Sequence, residues 1–229
     1  MIARFFKTVI AILLLPVLIG TFKSFYAQIT NISLFSDSFR LLERGAMIYL
    51  IFHVFVAKPV YIYVLGHEFV HVLATWLCGG KIVSFNVAPS GGSVVTSKTN
   101  FFIELSPYFV PMYTVLLGFI YFLFSITGVS VPHKAYLFVF LVGVTLAFHF
   151  VMTSEVLKVE QPDILKSGFL FSLVIIFTFN LIIVMAFFTP LFDSVSFIKF
   201  IKKAAVDTWA IYGVWSDRII AFAKANIVW

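Results

Sequence analysis

Residues 108–126 carry no charge at all, and residues 135–156 and 163–189 carry only Glu155, Asp163 and Lys166. At 1.5 Å of rise per residue each stretch is long enough, as a helix, to cross a hydrocarbon layer about 30 Å thick. Further apolar runs occupy residues 8–21, 41–57 and 59–78. With 62% hydrophobic and 11% charged residues and a mean hydropathy of +1.07, the composition excludes an ordinary soluble domain. The expectation is an all-α polytopic membrane protein with about six transmembrane helices. The first run reads as a membrane helix, with a cleaved signal peptide as the alternative.

One of these runs holds chemistry. His67-Glu68-Phe69-Val70-His71 places three ionisable side chains in a helix that is otherwise apolar, bounded by Pro59 before it and Gly79-Gly80 after it. Residues four apart share a helix face, so two imidazoles in H-E-x-x-H can grip one metal ion while the glutamate reaches its bound water. Zinc is the expected ion and Glu68 the expected general base. Ionisable groups inside a membrane helix are costly, which makes a purely structural role for all three a poor account of them. Counting back from Gly79, His71 lies about 12 Å below the helix end, inside the membrane but nearer one face.

After the motif helix the character of the chain changes. Residues 81–98 alternate apolar and polar side chains on either side of Ala88-Pro89-Ser90-Gly91-Gly92, the pattern of a β-hairpin. Glu104 reads as a surface or capping group, Pro111 as a kink near the start of the next helix, and His53 as an interhelical partner satisfied by packing. The single Cys78 excludes an internal disulfide.

Gly66-His67-Glu68-Phe69-Val70-His71, followed by Gly79-Gly80-Lys81-Ile82-Val83 and a Ser/Gly/Val-rich stretch, resembles the site-2 protease family of intramembrane zinc proteases. The likeness runs over residues 59–168 and is nearest to small family members with G-G-[RK]-[IV] after the motif helix. It implies a third zinc ligand from an aspartate near the start of a later helix, which Asp163 matches by type and position. The family places Asn and Pro before that aspartate and Gly directly after it, whereas Pro162-Asp163 is followed here by Ile164. Depth along straight helices favours His149 instead, so Asp163 and His149 both stand as third ligands at this point. The resemblance also implies that the hairpin holds an extended substrate, with Ser84, Asn86, Ser90, Gly91 and Gly92 as substrate-binding positions. The chemistry calls for an oxyanion donor, for which Asn86 and the backbone at 90–92 are the candidates. It further implies a bacterial cell membrane, with the active site open to the cytosol. The near-even spread of Lys and Arg over alternate loops does not itself assign an orientation.

Beyond Pro190 a polar stripe of lysines and aspartates follows an otherwise apolar face, an interfacial amphipathic segment or the docking surface of a membrane or peripheral protein. The chain therefore divides into a transmembrane protease domain, residues 1–192 with its core at 59–189, and a C-terminal amphipathic segment, residues 193–229. The net charge of +6 fits lysines and arginines at a lipid surface, and no basic run suits nucleic acid. The expected function is a zinc metalloprotease cutting a membrane-spanning or membrane-anchored protein. Its rival is a non-catalytic membrane subunit or metal-binding transporter with a closed structural metal site.

Overall fold

The computed structural model describes residues 2–88, 91–127 and 133–226. In chain order the elements are α1 (Ile2–Ile29), α2 (Asp37–Phe55), α3 (Val60–Leu77), β1 (Ile82–Ala88), β2 (Gly91–Thr96), α4 (Phe101–Leu105), a 3-10 turn (Ser106–Tyr108), α5 (Met112–Ile126), α6 (Lys134–Val156), α7 (Pro162–Ser167), α8 (Phe169–Phe188) and α9 (Phe197–Asn226). Among the described residues four helices are long and apolar enough to cross a membrane: Phe5–Ile29 of α1, then α3, α6 and α8. A fifth span exists if α4, its 3-10 turn and α5 count as one, and those two parts meet at 81°.

Among the described residues four or five such helices are found where six are expected. The missing one is α2, whose first half carries Asp37, Arg40, Glu43 and Arg44. The apolar remainder, about ten residues, rises only about 15 Å, half the hydrocarbon thickness. Pro111 likewise marks a sharp bend rather than a gentle kink, because α4 ends in the 3-10 turn before α5 starts at Met112.

The chain contacts divide it into two units, residues 33–172 and residues 1–32 with 173–229. In the first, α2 and α6 pack at backbone distance: a β-carbon on Gly45 would collide with the Phe140 carbonyl, and one on Gly143 with the Leu42 carbonyl. Small residues at such crossings let membrane helices approach closely. Tyr49, Tyr63, Phe148 and Met152, from α2, α3 and α6, form the core behind α3. His53 is buried on α2 and bonded to Tyr49 of the same helix, 3.0 Å from its hydroxyl, rather than to a neighbouring helix. Tyr113 at the start of α5 packs on Gly66 and donates its hydroxyl to the Ile62 carbonyl. β1 and β2 form the expected antiparallel hairpin, with Asn86 opposite Ser93 and an irregularity between Ile82 and Ser84.

In the second unit α1 packs along α9. Ser24 Oγ donates to the Phe200 carbonyl over 2.7 Å, Tyr212 donates to the Leu13 carbonyl, and the Ser196 amide donates to Gln28 Oε1 over 3.0 Å. Phe200 and Ala204 are buried, while Ile198, Trp209, Ile219 and Phe222 stay exposed on α9. Exposed apolar side chains also line α5 and α8, among them Phe119, Phe122 and Phe177, as suits helices whose solvent is lipid.

Candidate metal centre

α3 turns one face to the protein and another outward. Tyr63, Gly66, Glu68, Val70, His71 and Ala74 are buried, whereas Ile62, Leu65, Phe69 and Trp76 are exposed. The four-residue spacing of His67 and His71 thus lies on the inward face. Their rings meet edge to face with centroids 5.1 Å apart. Tyr108, fully buried at the end of the 3-10 turn, presents its ring edge to His67 at 5.0 Å.

Asp163 reaches this face from α7, a short helix that starts at Pro162 and ends at Gly168, whose φ of 89° continues no helix. The expected single helix from 163 to 189 is therefore two, and Asp163 belongs to a separate turn packed against α4. Glu104 fastens α4 to α7. It accepts hydrogen bonds from the Ser167 hydroxyl and from Thr99 Oγ1, the latter over 2.9 Å. Far from being a surface or capping group, Glu104 holds the aspartate's helix in place.

His67, His71 and Asp163 each offer a ligand atom within 4.8 Å of the others. His71 Nε2 lies 3.5 Å from Asp163 Oδ2, close to the roughly 3.3 Å that separates two ligands of one tetrahedral zinc at about 2.0 Å each. His71 Nδ1 lies 2.7 Å from the Ile103 carbonyl, an acceptor, so Nδ1 carries the proton and Nε2 presents its lone pair to the cluster. The carbonyl is fixed in turn, because Asn100 Oδ1 caps α4 by accepting the Ile103 amide over 2.9 Å. His67 Nδ1 is buried with no hydrogen-bond partner among the described residues. An imidazole kept so poorly satisfied, beside a second histidine and a carboxylate, fits a cation site. Burial works to raise the Asp163 carboxyl, but in the metal-free chain a protonated His71 beside it outweighs burial and holds the carboxyl below its usual range. That keeps Asp163 an anion, the form a metal binds.

Two clefts open onto these residues. One, about 300 Å³, is lined by His67, Glu68, His71, Asp163, Thr96 and Glu104. The other, about 330 Å³, is lined by Tyr63, Val64, Glu68, Gly91, Gly92 and Gln161. His67, Glu68, Gly92 and Gln161 border both. β2 passes directly over the motif helix at Gly92, where a β-carbon would come within 2.5 Å of Glu68 Cγ and 2.8 Å of Val64 Cγ1.

Of the expected site residues, His67, Glu68, His71, Asp163, Gly91 and Gly92 come together at the clefts. His149 does not join the ligand cluster. It lines a separate small cavity, with His67 the one member of the cluster that also borders it. Ser84 and Asn86 are exposed on β1 and line neither cleft, since β2 is the strand nearer α3's buried face; Ser93, Val94 and Thr96 of β2 line the first cleft instead. Ser90 lies outside the described residues. Sequence reasoning missed the Ile103 carbonyl, Glu104 and Gln161. The Asn100 cap three residues before Ile103 was the available signal for α4, but nothing in a sequence marks a backbone carbonyl as a histidine's partner.

Compared with family models, curated proteins and solved structures, the chain matches none.

Proposed function

We propose that this chain is an intramembrane zinc metalloendopeptidase of the site-2 protease kind, acting on membrane-spanning or membrane-anchored proteins. The observation that carries the reading is the meeting of His67, His71 and Asp163, from two helices far apart in sequence, beside Glu68 and at the mouth of a cleft. His67, His71 and Asp163 would hold zinc as three protein ligands. Bound there, zinc would lower the pKa of a water to about 7 and polarise the scissile carbonyl.

The chain's own groups do the rest. Glu68 takes the proton from the attacking water and passes it to the leaving amine. The Ile103 carbonyl keeps His71 in the tautomer that offers Nε2. Gly92, with no side chain, lets the β2 backbone lie against Glu68, so an extended peptide alongside β2 has its carbonyl beside the general base. A helical substrate must unwind locally first, because its backbone is bonded to itself.

The test is cleavage of a panel of single-span membrane proteins by the purified chain in liposomes, with Glu68→Gln as the comparison. Retained zinc with cleavage slowed about 10²- to 10⁴-fold supports the reading. Cleavage by the variant at the rate of the wild type would contradict it. Full zinc occupancy with a fourth protein ligand would favour a structural site instead.

A further inference from the structure

His149 sits at 5% exposure in the middle of α6, beside the metal cluster but outside it. It shares with His67 the border of a small space of about 10 Å³, lined also by Tyr63, Tyr113, Thr145 and Phe148. In this measure one water molecule needs about 10–15 Å³ and two to four polar partners to be held. Four of the lining residues, Tyr63, His67, Thr145 and His149, carry polar groups. His67 borders this space as well as the clefts, and its Nδ1 is buried without a hydrogen-bond partner among the described residues.

The two metal-site histidines thus differ. His71 has its second nitrogen fixed by the Ile103 carbonyl, and among the described residues His67 has no protein group in the same role. A ligating imidazole almost always donates its other N–H to a carbonyl, a carboxylate or a water, which fixes the ring and raises its basicity. We infer that His149 is the positioning residue for His67, acting through one water held in the small cavity between α3, α5 and α6. The water accepts the His67 Nδ1 proton and donates to a nitrogen of His149. Thr145 orients α6 at this level, since its hydroxyl accepts from Thr114 Oγ1 over 2.9 Å and donates to the Leu141 carbonyl over 2.9 Å. The inference rests on the zinc reading above and assigns His149 a role one layer behind the ligands.

The experiment is zinc affinity of the full chain in detergent, read by competition with a chromophoric chelator, for the wild type, His149→Ala and His149→Gln. Melting of the zinc-free proteins and the absorption spectra of their cobalt forms complete it. Loss of an outer partner costs about 10- to 100-fold in metal affinity, so His149→Ala should bind zinc that much more weakly. His149→Gln, which keeps a polar group at the cavity, should recover most of the loss. The cobalt spectrum of His149→Ala should keep the wild-type band pattern, because the ligands are unchanged. Should the alanine variant fail to fold, His149→Leu, which fills the cavity and expels the water, carries the same expectation. Wild-type affinity in His149→Ala, no recovery in His149→Gln, or a cobalt spectrum that has lost a nitrogen ligand would each overturn the assignment while leaving the zinc site standing. A wild-type chain that binds no zinc overturns the zinc reading itself, and the assignment with it.

Discussion

At the scale of single residues, the site depends on side chains whose neighbours leave them one option. Gly92 is the sharpest case, since any β-carbon there meets Glu68 Cγ at 2.5 Å. Gly92→Val should therefore displace the Glu68 carboxylate and lower cleavage at least tenfold while zinc content stays at the wild-type level. Equal rates for the variant and the wild type would show that the strand does not crowd the base. Asp163 gives a pH signature. Its folded pKa lies below the ordinary carboxylate value of about 4, so its pairing with His71 stabilises the fold above that value. The contribution is lost as pH falls through the lowered folded value. Melting of the zinc-free wild type in detergent should thus fall on acidification below about pH 4 more steeply than that of Asp163→Asn. The motif itself was plain in the sequence, because H-E-x-x-H in an apolar helix has few other uses. The partners were not: a carbonyl at Ile103 and a carboxylate at Glu104 become part of the site only when α4 folds against α3 and α7.

At the scale of elements, short pieces do the positioning. α4 has five residues and no stability of its own, yet it supplies the Ile103 carbonyl to His71 and Glu104 to α7. Its Asn100 cap is worth about 1 kcal/mol. Asn100→Ala should cost about that much stability and also weaken zinc binding several-fold, because the His71 tautomer loses its fixed acceptor. A variant that melts lower yet binds zinc as tightly as the wild type would separate the cap from the site. The long elements were legible: α3 runs Val60–Leu77 between the Pro59 and Gly79 signals, and the hairpin lies where alternation predicted it. The breaks were harder. Gly168 was visible in the sequence but sits between two apolar segments that read as one helix, and the 81° bend before α5 comes from a 3-10 turn that propensity alone does not announce.

For the whole molecule, every residue of the candidate metal centre and its clefts falls within the unit formed by residues 33–172. Composition pointed to a membrane protein, and among the described residues four or five helices are long and apolar enough to span one. The sixth expected span, α2, is not among them, because hydrophobic run length says little about charges just before the run, as at Arg40, Glu43 and Arg44. What assembles the site is the return of the chain, from α3 through α6 to α7, which brings Asp163 within 3.5 Å of His71. Zinc content measured on the purified full chain, beside Asp163→Ala, tests that assembly most directly. The wild type should hold about one zinc per chain and Asp163→Ala should lose most of it, with the zinc-free forms melting alike at neutral pH to within the small contribution of the Asp163 pair. A wild type without zinc, or an Asp163→Ala chain that holds zinc as tightly as the wild type, would contradict it.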